Sequence, residues 1–124
     1  MGSQSFYFGD NITVGVRDLG RAIAWYEEKL GLRVKPVQSE KFDAFLVISE
    51  NDELGLALVG VAVGESEENA EEYPILFTKQ IEACREELVA RGVQAGPIQQ
   101  DLGGNPFFQF HDGEANTIEV CIGL

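Results

Sequence analysis

A carboxylate and a thiol stand two residues apart near the C-terminus, Glu119 and Cys121. In an extended run from Thr117 to Ile122, alternation would turn both to one face. A carboxylate held among aromatic rings can bind a cation, or act as a base once burial raises its pKa. The same residue can equally pair with a lysine or arginine, or stand at a solvated cavity mouth. Cys121 has no neighbour in sequence that would lower its pKa and make it a nucleophile. The single histidine, His111, precedes a turn, where capping or exposure competes with a role as general base. With one histidine and no serine or cysteine in a suitable motif, no nucleophilic triad assembles. The turn Gly103-Gly104-Asn105 opens no helix and carries no lysine or serine, so it is not a phosphate loop.

These residues need elements to position them. Ile12, Val14 and Val16 alternate with Thr13, Gly15 and Arg17, the period of a strand. Asp18 then offers an N-cap, followed by Leu19, Ile23, Tyr26 and Leu30 at helical spacing and by Lys29 and Gly31 as stop signals. Trp25 and Tyr26 read as core of that helix. Strand-like runs follow at 32–37, 42–49 and 54–63. After an acidic segment, Ile75 to Thr78 reads as a strand, and Ile81, Cys84 and Leu88 mark a helix ending at Arg91-Gly92. Three more strand candidates cover 93–99, Pro106 to His111 and Thr117 to Ile122.

The order repeats itself. Gly31-Leu32-Arg33-Val34-Lys35-Pro36-Val37-Gln38 aligns with Gly92-Val93-Gln94-Ala95-Gly96-Pro97-Ile98-Gln99 at an offset of 61. Leu19 and Ile81, each opening its helix, are 62 apart. Two βαβββ units, neither able to bury both its helix and its sheet face alone, predict an α+β domain with pseudo-twofold symmetry. Module one spans 11–63, an acidic linker 64–72 and module two 73–124.

The run from Ile12 to Tyr26 (ITVGVRDLGRAIAWY), with Leu30-Gly31-Leu32, resembles the opening of the vicinal oxygen chelate superfamily. That superfamily contains glyoxalase I, extradiol dioxygenases, fosfomycin-resistance transferases and bleomycin-resistance proteins. The segment from Phe110 to Val120 resembles its closing motif, an Asp-Pro-Asp-Gly-Asn turn followed by a strand carrying glutamate. Here Gly113 stands for the proline and Ala115 for the glycine. The resemblance implies two curved mixed sheets enclosing a cavity, and it spans nearly the whole chain from Asn11 onward.

It also implies four inward positions that hold a metal in the family's metalloenzymes. They fall on Asn11, Ala57, Tyr73 (with Glu72 or Pro74 as the neighbouring registers) and Glu119. Only Glu119 keeps a ligand type suited to a first-row ion. Ala57 donates nothing and neither first-strand position is histidine, so no metal and no cofactor are expected. Phe45 and Phe108 lie on the third strands, which in this family face the cavity. With Asn11, Ala57, Tyr73, Glu119 and Cys121 they form the expected ligand-binding set, with no catalytic residue among them.

Composition limits the partners. The chain has 124 residues and a net charge of −12. That excess opposes binding to nucleic-acid backbones or anionic membranes. Five acids (Glu65, Glu67, Glu68, Glu71, Glu72) crowd the linker, where they favour solubility and would also steer a cationic ligand. Hydrophobic residues at 44% and charged residues at 24% are ordinary for a globular domain. The longest apolar stretch, 54–63, falls short of the ~20 residues a spanning helix needs. Two cysteines and no secretory pattern at the N-terminus lead to a cytoplasmic expectation. The expected function is metal-free sequestration of a cationic or aromatic small molecule by a homodimer, as in the bleomycin-resistance branch. An enzyme of the same superfamily, a lyase or isomerase using Glu119, is the alternative.

Overall fold

The computed structural model describes residues 5–61 and 73–123. Module one contains β1 (Ile12–Val16), α1 (Leu19–Leu30), β2 (Arg33–Val34), β3 (Ala44–Val47) and β4 (Leu56–Gly60). Module two contains β5 (Ile75–Thr78), α2 (Ile81–Ala90), β6 (Gln94–Ala95), β7 (Gln99–Gln100), β8 (Pro106–His111) and β9 (Thr117–Ile122). The sheets run β1-β4-β3-β2 and β5-β9-β8-β6, with β7 paired to β8. In each, the first strand lies parallel to the last and the remaining pairs are antiparallel. The α+β repeat expected from sequence is therefore present. The sheets do not close round a cavity within the chain, because β1 and β5 are both edges of separate sheets.

Local signals explain the helices. The Asp18 carboxylate accepts the Arg21 N–H at 3.1 Å and caps α1, while Gly31 ends it at φ 70°, where only glycine is free of strain. Ala22, Tyr26 and Leu30, four residues apart, form its buried stripe. Helix α2 buries Ile81, Cys84 and Leu88.

The second strands are shorter than their apolar runs. Run 32–37 forms a strand only at Arg33–Val34, with one further bond from the Lys35 N–H to Phe45 O at 2.8 Å, and run 93–99 divides into β6 and β7. Pro36 and Pro97, equivalent in the repeat, have no N–H to continue a ladder. Run 54–63 pairs from Leu56, and its positions 62 and 63 lie outside the described residues.

One core joins the modules. Ile12, Val14 and Val16 of β1, Leu56 and Leu58 of β4, and Phe108, Phe110, Ile118 and Val120 of the second sheet pack with Tyr26, Leu30, Cys84 and Leu88. Trp25 of module one stacks on Phe110 of module two with centroids 6.5 Å apart. Beside it Tyr26 donates its hydroxyl to Asp112 at 2.7 Å. The Asp112 carboxylate also accepts N–H groups from Glu114 and Asn116, so this buried acid has its acceptor sites filled. Glu114 accepts the Arg17 and Asp18 N–H groups at 2.7 and 2.9 Å, which ties the β8–β9 turn to the N-terminus of α1. Among the described residues no helix is long and apolar enough to cross a membrane.

Candidate functional site

The sheet faces turned away from the helices carry the candidate residues. In the second sheet the register aligns Ile75, Glu119 and Gln109 in one row and Phe77, Cys121 and Phe107 in the next. Glu119 is half-buried. One carboxylate oxygen faces Gln109 Nε2 at 3.4 Å and the other accepts the Cys121 thiol at 3.3 Å. It forms no ion pair among the described residues. A carboxylate thus stands beside a row of two phenylalanines with no cation to neutralise it. Cys121 is pushed up to about 12, first by burial and then by its bond to Glu119 and that carboxylate's charge. It is therefore a weak donor rather than a nucleophile.

Phe108 does not belong to this face. It pairs with Val120, is fully buried, and packs in the core under the helices. The period of two sends Phe108 and Phe110 to one side, and Phe107, Gln109 and His111 to the other. Phe107 and Gln109 are the residues that sequence reasoning missed. The signal was a polar Gln109 between two phenylalanines, which marks the face opposite the core. Phe77, on the adjacent strand, was missed as well.

In the first sheet the equivalent row is Thr13, Ala57 and Phe45. Phe45 and Ala57 do meet there, but under cover. Phe42 stacks on Phe45 at 5.5 Å, and Phe45, Val47 and Ala57 form a small separate apolar cluster.

Asn11 and Tyr73 come together in a groove of about 680 Å³ between β1 and β5. Tyr73 is exposed. The Asn11 side-chain oxygen is already engaged, because it accepts the Gly55 N–H at 2.9 Å. Thr117 lines the groove, whereas Glu119 and Cys121 lie farther along the same face of β9. The expected set is therefore spread over three places: the groove, the open face of the second sheet and the covered face of the first.

These residues do not fit a divalent metal. Asn11 has committed its oxygen, Ala57 has no donor atom, and Tyr73 carries neither an imidazole nor a carboxylate. Among the described residues no three of histidine, cysteine, aspartate and glutamate stand together. His111 lies at the far end of β8, where its Nδ1 contacts the Thr117 hydroxyl at 3.2 Å.

Comparison with known proteins accords with this architecture. The family model described as Glyoxalase/Bleomycin resistance protein/Dioxygenase superfamily matches residues 10–120. Similar solved structures include a member of that superfamily from Sphaerobacter thermophilus DSM 20745, at 21% identity and TM-score 0.69 over 92% of this chain and 96% of that one. Another is TnmS3, an antibiotic binding protein from Streptomyces sp. CB03234, at 20% identity and TM-score 0.68 over 93% and 95%. A third is the fosfomycin resistance protein FosX from Mesorhizobium loti, at 20% identity and TM-score 0.54 over 93% and 91%. At these identities the likeness is one of fold. Comparison with curated proteins finds no match.

Proposed function

Since the chain belongs to the Glyoxalase/Bleomycin resistance protein/Dioxygenase superfamily, a scaffold whose chemistry is set by a few side chains, we propose that it is a metal-free binding protein. It sequesters a small cationic or aromatic molecule on the open face of the second sheet. The observation that carries this reading is Glu119, half-buried, without a cation partner among the described residues, and next to the Phe77–Cys121–Phe107 row. A ligand cation there gains a charge-assisted contact, and the rings add roughly 0.5–2 kcal/mol of cation–π attraction. The antibiotic-binding neighbour supports a small-molecule ligand. The −12 charge opposes nucleic-acid and membrane partners and favours approach of a cation.

Two sheets that do not close within one chain favour a homodimer in which a second copy covers the open faces. Exposed Tyr73 and Ile75 supply apolar surface for that contact. Light scattering at low micromolar concentration should give twice the 13.6 kDa chain mass. A purely monomeric species contradicts the dimer.

A thermal-shift screen of cationic aromatic antibiotics and polyamine-linked compounds, run with and without EDTA, tests the function. Stabilisation by at least one compound, unchanged by EDTA, is expected. Stabilisation that appears only with added zinc, nickel, iron or manganese would overturn the metal-free reading.

A further inference from the structure

The segment 5–9 runs along the edge of β5 and joins the second sheet. The Tyr7 N–H donates to Phe77 O at 2.7 Å and the Phe77 N–H to Tyr7 O at 3.0 Å, an antiparallel bridge. The Thr78 hydroxyl donates to Ser5 O at 2.5 Å. Side chains alternate along the segment as they do along a strand. Phe6 and Phe8 are buried in the core, and Tyr7 between them is half-buried on the opposite side. A residue paired directly with Phe77 shares its face. The row beside Glu119 therefore reads Tyr7, Phe77, Cys121, Phe107.

Two glycines show where the Tyr7 ring lies. A Cβ on Gly123 would collide with the Tyr7 hydroxyl and come within 2.9 Å of its Cζ. Gly123 continues the alternation of Glu119 and Cys121, and its N–H bonds Thr78 O at 2.7 Å, so it extends the same face of β9. The Tyr7 ring stacks on Phe77 with centroids 5.9 Å apart, and its phenol tip fills the space over Gly123. Gly9 abuts the Phe77 ring as well, where a Cβ would come within 2.6 Å of it. The open face thus has an end: Glu119, then Cys121, then the Tyr7 phenol. Four strand steps separate Glu119 from Gly123, roughly 13 Å.

We propose that Tyr7 is a specificity-determining residue that limits the ligand to a cation joined to a single aromatic ring. Glu119 holds the cation in the function proposed above, on which this assignment rests. With the charge there, a ring one methylene away lies over Cys121, flanked by Phe77 and Phe107. A second ring in line with the first runs into the Tyr7 phenol. Tyr7 takes no part in holding the charge, so its removal changes the length that is accepted and not the need for Glu119.

The test compares benzylammonium with 4-phenylbenzylammonium, which carry the same cation on one ring and on two rings in line. Affinities are measured by NMR titration of the full chain. Tyr7→Ala should bind the two-ring compound about tenfold more tightly than wild type does, and the one-ring compound within about threefold. Tyr7→Phe keeps the ring and should leave the ratio of the two affinities within about threefold of wild type. Tyr7→Leu keeps an apolar contact with Phe77 but falls short of Gly123. It should shift the ratio as alanine does, and it replaces Tyr7→Ala if that variant fails to fold. Glu119→Gln should weaken both compounds. An unchanged ratio in Tyr7→Ala and Tyr7→Leu, with both compounds still dependent on Glu119, overturns the role of Tyr7 and leaves Glu119 as the cation's partner. Binding of neither compound, or binding undiminished in Glu119→Gln, overturns both.

Discussion

Lys29 and Arg91, 62 residues apart, each reach across to the backbone carbonyl of the other. Lys29 Nζ donates to Arg91 O at 2.8 Å, and Arg91 Nη1 donates to Lys29 O at 3.2 Å. Both stand at the C-terminal end of the first or second helix, where orphan carbonyls and the helix dipole favour a cation. The exchange is what a pseudo-twofold axis between two copies of one unit requires. Its offset equals that between Leu19 and Ile81, and between Ala57 and Glu119. Symmetric scaffolding thus persists at the helix ends while the equivalent site positions have diverged to an alanine and a glutamate.

Ala115 holds φ at 65° in the β8–β9 turn, a conformation that costs a Cβ-bearing residue energy. Ala115→Gly should therefore stabilise the fold by about 1 kcal/mol, a rise in Tm of roughly 4 °C. Calorimetry checks it, and an unchanged or lower Tm contradicts the turn geometry.

The Tyr26 hydroxyl is pushed well above its ordinary value by burial, then by the charge and hydrogen bond of Asp112. Below about pH 10 both folded and unfolded chains keep this proton, so its stabilisation is complete. Above that point the unfolded chain releases the proton and the folded one does not. Stability should fall by about 1.4 kcal/mol per pH unit from this group alone. Denaturant titrations between pH 9 and 11 should show Tyr26→Phe losing that component of the slope. The raised thiols of Cys84 and Cys121 leave a separate component that begins nearer pH 9.

Cys121 should react slowly with a disulfide reagent at pH 8, because its thiol sits at about 12. Glu119→Gln removes the charge that helps to raise it, so the rate should increase. An equal rate in both proteins would place the thiol away from the carboxylate.

Much of this architecture was legible in the residues. Alternation at Ile12, Val14 and Val16 located the first strand, Asp18 and Gly31 bounded the first helix, and the Gly-Pro-Gln repeat located the second module. The face of Phe108 was not legible from the resemblance, because a run of three phenylalanines around one glutamine fits either register by hydrophobicity alone. The polar Gln109 decides it, and only pairing with Glu119 shows that it does. Asn11 looked available because its partner, the Gly55 N–H, lies 44 residues away in sequence. The clasp of Glu114 on Arg17 and Asp18 is likewise a tertiary contact with no local signature.

Titration calorimetry of wild type and Glu119→Gln, with a cationic aromatic compound selected by the thermal-shift screen, tests the binding assignment most directly. Measured at low and high salt, a buried contact to Glu119 is little screened, whereas the diffuse field of the acidic surface is lost beyond ~8 Å. The account predicts that Glu119→Gln weakens binding by roughly 2–5 kcal/mol at both salt concentrations. Equal affinity of the two proteins for that compound would contradict it and leave Glu119 a structural residue.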